Sequence, residues 1–266
     1  MTMHKIFESG TQPFTIFNEY RQDFPIVVSL PHSGVCITRE MNEQLIDGVV
    51  LPNTDWYLPE LYTFLKEMGI TGIVNHMSRY VIDPNRALDA SEAKSYKTNL
   101  IYKRTTQGYA MYRSKLQKQE VQSRIRDFYE PYHQAVRCLL EEKEKRFGRV
   151  YLFDLHSFGL DMGADIVLGN RNGETTSTEL MQFVRASLEQ QGLTVQENQP
   201  FSGGYITRWY GAAEDCEALQ MELWYQTYID RRDFGNEELP AIDRTLYSGT
   251  QQKLQAVFQS LCQRLG

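Results

Sequence analysis

The chain has 266 residues, 41% hydrophobic and 23% charged, which is enough for a buried core and ordinary for a soluble globular protein. A net charge of −6 argues against nonspecific nucleic-acid binding and means that an anionic ligand must be met by local arginines. The four cysteines, Cys36, Cys138, Cys216 and Cys262, are far apart, so they fit neither a disulfide framework nor a cysteine-rich zinc site.

The first clear element is the apolar, β-branched run Ile26-Val27-Val28-Ser29-Leu30, which breaks at Pro31-His32-Ser33-Gly34. Residues 55–66 read as a helix ended by Gly69. Residues 70–75 read as a second strand, which Tyr80-Val81-Ile82 extends or follows. Residues 88–112 are polar, aromatic and irregular, and long connections of this kind often line a site. A helical pattern spans 119–146, where Pro131 is expected to kink or split it. Residues 150–155 form the next strand, which ends in His156-Ser157, and residues 164–168 another. A helix over 177–191 closes at Gly192, followed by a short strand at 193–196. Gly203 to Gly211 reads as a glycine-bounded aromatic loop or a hairpin tip. The stretch 218–225 alternates, with Leu219, Met221 and Leu223 on one face. A final helix covers 241–264. Strands alternating with helices predict a single α/β domain over 1–266 with a mostly parallel sheet.

Two apolar strands thus end in His-Ser, and ligands collect at the carboxyl ends of strands in open α/β sheets. His32 and His156 are candidate metal ligands. A catalytic zinc commonly takes three protein ligands and lowers the pKa of water to about 7. The third ligand is expected to be a carboxylate, and Asp55 is the candidate, although Asp55 or Thr54 could equally cap a helix. Asp154 is read as facing the other side of the strand and orienting a neighbouring group. His76 and His133 are competitors, with His133 read as packed and hydrogen-bonded or as lining the pocket.

Arg79 and Arg86 flank Asp83 and Asn85 in the densest polar segment of the chain. An arginine fork grips carboxylates and polarises carbonyls, and a simple Asp–Arg surface pair is the competing reading. Glu222 interrupts an apolar strand, where burial would raise its pKa and suit it to general-base work. Exposure on a half-buried strand is the alternative. Arg208 either binds a second carboxylate or lies at a loop tip. No P-loop, GxGxxG or GxSxG pattern follows a strand.

These segments, taken in order from Pro31-His32-Ser33-Gly34 through Asp55, Ser78 to Arg86, Asp154-Leu155-His156-Ser157 and Gly203 to Arg208, to Ala218 to Glu222, resemble the N-formylglutamate amidohydrolase family. The resemblance implies a zinc-exopeptidase-like (phosphorylase/hydrolase-like) three-layer α/β/α domain with a mostly parallel mixed sheet. It implies one Zn2+ per chain on His32, Asp55 and His156, with Glu222 activating water. It further implies that Arg79 stabilises the oxyanion and that Asn85 and Arg86 hold a substrate carboxylate, with Arg208 available for a second. Zinc exopeptidases place a Glu three residues after the first His, but Val35 stands there in this chain.

The expected reaction is hydrolysis of N-formyl-L-glutamate to formate and L-glutamate in histidine degradation. The alternatives are deacylation of another N-acyl acidic amino acid and noncatalytic binding of an acidic metabolite. The start Met1-Thr2-Met3-His4-Lys5 lacks a signal-peptide core, and no run approaches the roughly 18 apolar residues of a membrane span. A cytoplasmic protein with a small-molecule substrate, and with no nucleic-acid or membrane partner, is therefore expected.

Overall fold

The computed structural model describes residues 4–8, 10–89, 99–230 and 240–266. Strands β1 (Lys5–Ile6), β2 (Phe14–Phe17), β3 (Ile26–Leu30) and β4 (Cys36–Ile37) precede the short helices α1 (Arg39–Gln44), α2 (Leu58–Leu61) and α3 (Phe64–Glu67). Strand β5 (Thr71–Asn75) then leads across a long connection to α4 (Lys118–Arg124) and α5 (Glu130–Phe147). The second half runs β6 (Val150–Phe158), β7 (Ile166–Gly169), α6 (Thr178–Gln190), β8 (Val195–Glu197), α7 (Tyr205–Tyr210), β9 (Cys216–Trp224) and α8 (Arg244–Leu265).

Seven strands form one mixed sheet in the order β2-β5-β3-β6-β9-β7-β8, and β1 pairs separately with β4. The central β5-β3-β6-β9 pairings are parallel, while β2–β5 and β9–β7 are antiparallel. Strand alternation divides the side chains cleanly. Val28, Leu30, Phe153, Leu155, Leu219, Met221 and Leu223 pack in one core with α2, α3, α6 and α8. Val27, Ile73, Leu152 and Ala218 face the other way, against Tyr132, Val136 and Leu139 of α5 and Ile206 and Tyr210 of α7. The result is a three-layer α/β/α domain, as expected. No helix of the described residues is long and apolar enough to cross a membrane.

Several boundaries differ from the sequence expectation. Residues 55–66 do not form one helix: Tyr57 takes the left-handed conformation (φ 58°) and Pro59 sits at the start of α2, so two short helices follow an extended segment. Pro131 does not split its helix, because the chain passes from α4 through one wide π turn (Ile125–Tyr129) into α5, with Pro131 in the first turn of α5. The π turn absorbs the proline's missing N–H. Tyr80-Val81-Ile82 is buried but forms no strand. The expected loop at 203–211 contains helix α7. Strand β6 continues three residues past Leu155, because β9 pairs with it along its whole length. His156 therefore lies inside a strand, not just beyond one. Residues 90–98 of the expected long connection fall outside the described residues.

Candidate metal centre and active site

The polar residues of the site continue the same sheet face that buries Val27, Leu152 and Ala218 under α5 and α7. Two residues on from Leu152 and Ala218 stand Asp154 and Gln220, and two further stand His156 and Glu222. The β6–β9 register pairs Asp154 with Gln220 and His156 with Glu222. One apolar face thus becomes polar towards the carboxyl ends of its strands.

His32 joins this group from the turn after β3. That turn needs Gly34, since a Cβ there would lie 2.3 Å from the His76 backbone. Asp55 arrives on the extended segment before α2, and its N–H donates to the His32 carbonyl at 3.1 Å. No cap is formed by Asp55, so its competing sequence reading fails. His32, Asp55 and His156 are all buried, and one ligand atom from each lies within 4.8 Å of the others. Asp55 Oδ2 is buried without a hydrogen bond, 3.2 Å from His156 Nδ1.

Burial alone would lower the His156 pKa, but Asp154, Asp55 and Glu222 outweigh it and hold the ring well above the ordinary value. Three carboxylates around one buried imidazole mark a place for a cation, and a buried carboxylate with two imidazoles is a donor set suited to a divalent metal. The group fits. Asp154 does not face away from His156: residues two apart share a strand face, and Asp154 Oδ2 lies 3.0 Å from His156 Nε2.

His32 is held neutral, its pKa lowered to about 4 chiefly by burial and by Arg79. Asp83 is fully buried. Burial would raise its pKa, yet His32, Arg79 and Arg86 hold it well below the usual carboxylate range. An ionised carboxylate only accepts. His32 Nε2–H therefore donates to Asp83 Oδ1 at 2.7 Å, which leaves the Nδ1 lone pair for a metal. Asp83 also accepts from Arg79 Nη2 at 2.9 Å, Tyr102 OH at 3.0 Å and Asn85 N at 2.8 Å. The Asp83–Arg79 pair is thus interior, not a surface pair.

Glu222 is buried, and burial, with Asp55 and Asp154 adding to it, pushes its pKa up to about 8 against the pull of His156 and Arg79. The expected raised pKa is present. A cavity of about 530 Å3 brings His32, Asp55, Arg79, Asn85, Arg86, His156 and Glu222 together, with Tyr102, Thr106, Gln107 and Gln220 among its other polar walls. Arg79 Nε is buried there without a hydrogen-bond partner, a donor open to a ligand oxygen. Asn85 Oδ1 accepts from Ile206 N at 2.8 Å, and its Nδ2 lies 3.1 Å from His156 Nε2.

Arg208 does not join the site. Helix α7 turns it outward, where it is exposed with its guanidinium 5.7 Å from the Tyr205 ring centre, and it does not line the cavity. His133 is a packed histidine. Its Nε2 meets the Pro84 carbonyl and its Nδ1 the Tyr210 hydroxyl, both at 2.9 Å. His76 bonds to Thr15 away from the site. Sequence reasoning missed Gln220, although its place two residues before Glu222 on an alternating strand carried the signal. The reach of Tyr102, Thr106 and Gln107 into the cavity had no comparable local signature.

A family model described as N-formylglutamate amidohydrolase matches residues 24–229. An N-formylglutamate deformylase of Pseudomonas aeruginosa is 31% identical over 223 residues, which is 78% of this chain and 83% of the relative. One of Pseudomonas putida is 29% identical over 222 residues, 79% and 83% of the two chains. The crystal structure of an N-formylglutamate amidohydrolase from Ralstonia eutropha JMP134 superimposes with a TM-score of 0.80 at 26% identity, covering 96% of this chain and 98% of that one. With the match spanning His32, Asp55, His156 and Glu222, the chain belongs to the N-formylglutamate amidohydrolase family.

Proposed function

We propose that the protein hydrolyses N-formyl-L-glutamate to formate and L-glutamate, as a zinc-dependent amidohydrolase of histidine breakdown in the cytoplasm. The observation that carries this reading is the pairing of Glu222 with His156 in a cavity that also holds Arg79 and Arg86. His32, Asp55 and His156 would hold one zinc ion. When bound, the ion supplies Lewis acidity and makes water available as a nucleophile near neutral pH.

Glu222 takes a proton from the attacking water and returns it to the departing amine. Arg79 offers its open Nε–H to the oxygen that gains charge at the formyl carbon, and such preorganised donors are a major source of rate. Arg86, beside Asn85, binds a substrate carboxylate. Asp83 partly neutralises Arg79, which serves the oxyanion, so the two carboxylates of the substrate are met by Arg86 and by neutral donors such as Gln107 and Thr106.

A second reading, deacylation of an acidic amino acid with a larger acyl group, draws support from the apolar wall of Phe158, Leu160, Met162 and Phe201. Formate release from N-formyl-L-glutamate, with chelator and with zinc restored, tests the first reading. N-formylaspartate and N-acetylglutamate run beside it. Turnover of formylglutamate alone, lost with chelator, supports the proposal. Preference for the acetyl compound transfers it to the second reading.

A further inference from the structure

Gln220 is buried at 3% exposure on β9, between the candidate base and the start of α7. Its Oε1 accepts from the Gly204 N–H at 2.7 Å, and its Nε2 donates to Glu222 Oε1 at 3.0 Å. The orientation of this amide follows from its partners. A backbone N–H can only donate, so the atom facing Gly204 is the oxygen. The nitrogen must then face Glu222, whose carboxylate accepts. One oxygen of Glu222 is thereby fixed, which leaves proton transfer to the other.

The Gly203-Gly204 approach is built to this end. A Cβ on Gly204 would lie 2.3 Å from Asn85 Nδ2, so only glycine lets the backbone come close. The same helix start uses its Ile206 N–H to orient the Asn85 amide at 2.8 Å. Two site amides are thus set by backbone N–H groups two residues apart in the first turn of one helix.

We propose that Gln220 is the positioning residue for Glu222, and that the α7 start fixes the base through it. This rests on the reading of Glu222 as the base. A carboxylate that must reach a water proton and then a leaving nitrogen gains from one pinned oxygen, and a misplacement of about 1 Å can cost about 100-fold in rate.

Three variants of the zinc-loaded protein test it: Gln220→Leu, Gln220→Glu and Glu222→Gln. Gln220→Leu removes both hydrogen bonds at similar volume. Gln220→Glu keeps an acceptor for Gly204 but replaces the fixed amide donor to Glu222 with a carboxyl that competes with it for a proton. If Gln220 positions the base, both lower kcat for N-formyl-L-glutamate by about 10- to 100-fold, with KM within about 3-fold of the parent, on the same scale. Zinc content stays at the parent level. Parent-like kcat in Gln220→Glu overturns the proposal, since it would show that Gln220 only holds the loop. Parent-like kcat in Gln220→Leu overturns it as well. Should Gln220→Leu fail to fold, Gln220→Glu decides alone. Turnover retained in Glu222→Gln removes the base reading itself. Turnover lost there but kept in both Gln220 variants removes only the positioning role.

Discussion

His156 and Glu222 face each other across one rung of the β6–β9 ladder. A candidate metal ligand and the candidate base are therefore set side by side by parallel strand pairing in the middle of the sheet. Loop geometry has no part in their spacing.

This pairing makes Glu222→Gln the sharpest test of the chemistry. The amide is nearly isosteric and none of the three candidate ligands is touched, so zinc content should match the parent. Turnover should fall by about 100-fold or more, the range assigned to a general base. Formate release and metal analysis on one preparation check both halves.

Asp83 joins His32 to Arg79 and Tyr102 through hydrogen bonds of 2.7 to 3.0 Å. Asp83→Asn should weaken zinc binding about 10- to 100-fold, as is typical when a ligand histidine loses its carboxylate partner. It also leaves Arg79 uncompensated, at a stability cost of about 3 kcal/mol. Chelator competition and urea unfolding measure the two effects separately.

The two arginines that line the cavity should separate from the one that does not. Arg86→Ala is expected to raise KM for N-formyl-L-glutamate by about 10- to 100-fold, the worth of a charged hydrogen bond. Arg208→Ala should change KM by less than about 2-fold, as surface charges away from a site do. An Arg208→Ala effect as large as that of Arg86→Ala would extend the substrate site to the outer face of α7.

The metal-free protein should lose stability as pH rises. Glu222 is raised to about 8 by burial and His156 is raised by its carboxylate neighbours. A raised folded-state pKa stabilises fully below the unfolded value, and that stabilisation is lost as pH climbs through the folded value. Below about pH 6.5 this loss is offset by His32 and His133, whose lowered folded-state pKa values of about 4 add stability as pH rises, so melting temperatures of chelated protein should fall between about pH 6.5 and 8. Glu222→Gln, lacking one of the raised groups, should fall less, and comparison of the two melting curves reads the difference.

Much of the site was legible because its elements are periodic. The alternation Leu219, Met221, Leu223 on β9 placed Glu222 on the opposite face from the core, and the apolar runs of β3 and β6 located both histidines. What escaped depends on contacts between distant segments. Helix α7 was hidden by its glycines, and with it the outward turn of Arg208, because six residues are too few to show a helical period. Tyr57 and Pro59 broke the expected helix after Asp55 by backbone conformation, which residue periodicity does not register. Tyr102 and Gln107 reach the cavity from an irregular stretch whose path only the fold determines.

The β6–β9 register also limits how such a protein can change over time. A slip of one residue would carry Gln220 and Glu222 into the apolar layer beneath α6 and α8, and bring Leu219, Met221 and Leu223 up in their place. No intermediate register preserves both core and chemistry, so the reacting groups cannot drift by small steps. The cavity rim at Thr106, Gln107, Leu160, Met162 and 200–202 is under no such restriction. New substrate preferences on this scaffold are therefore expected to arise at the rim, with the ladder beneath left as it is.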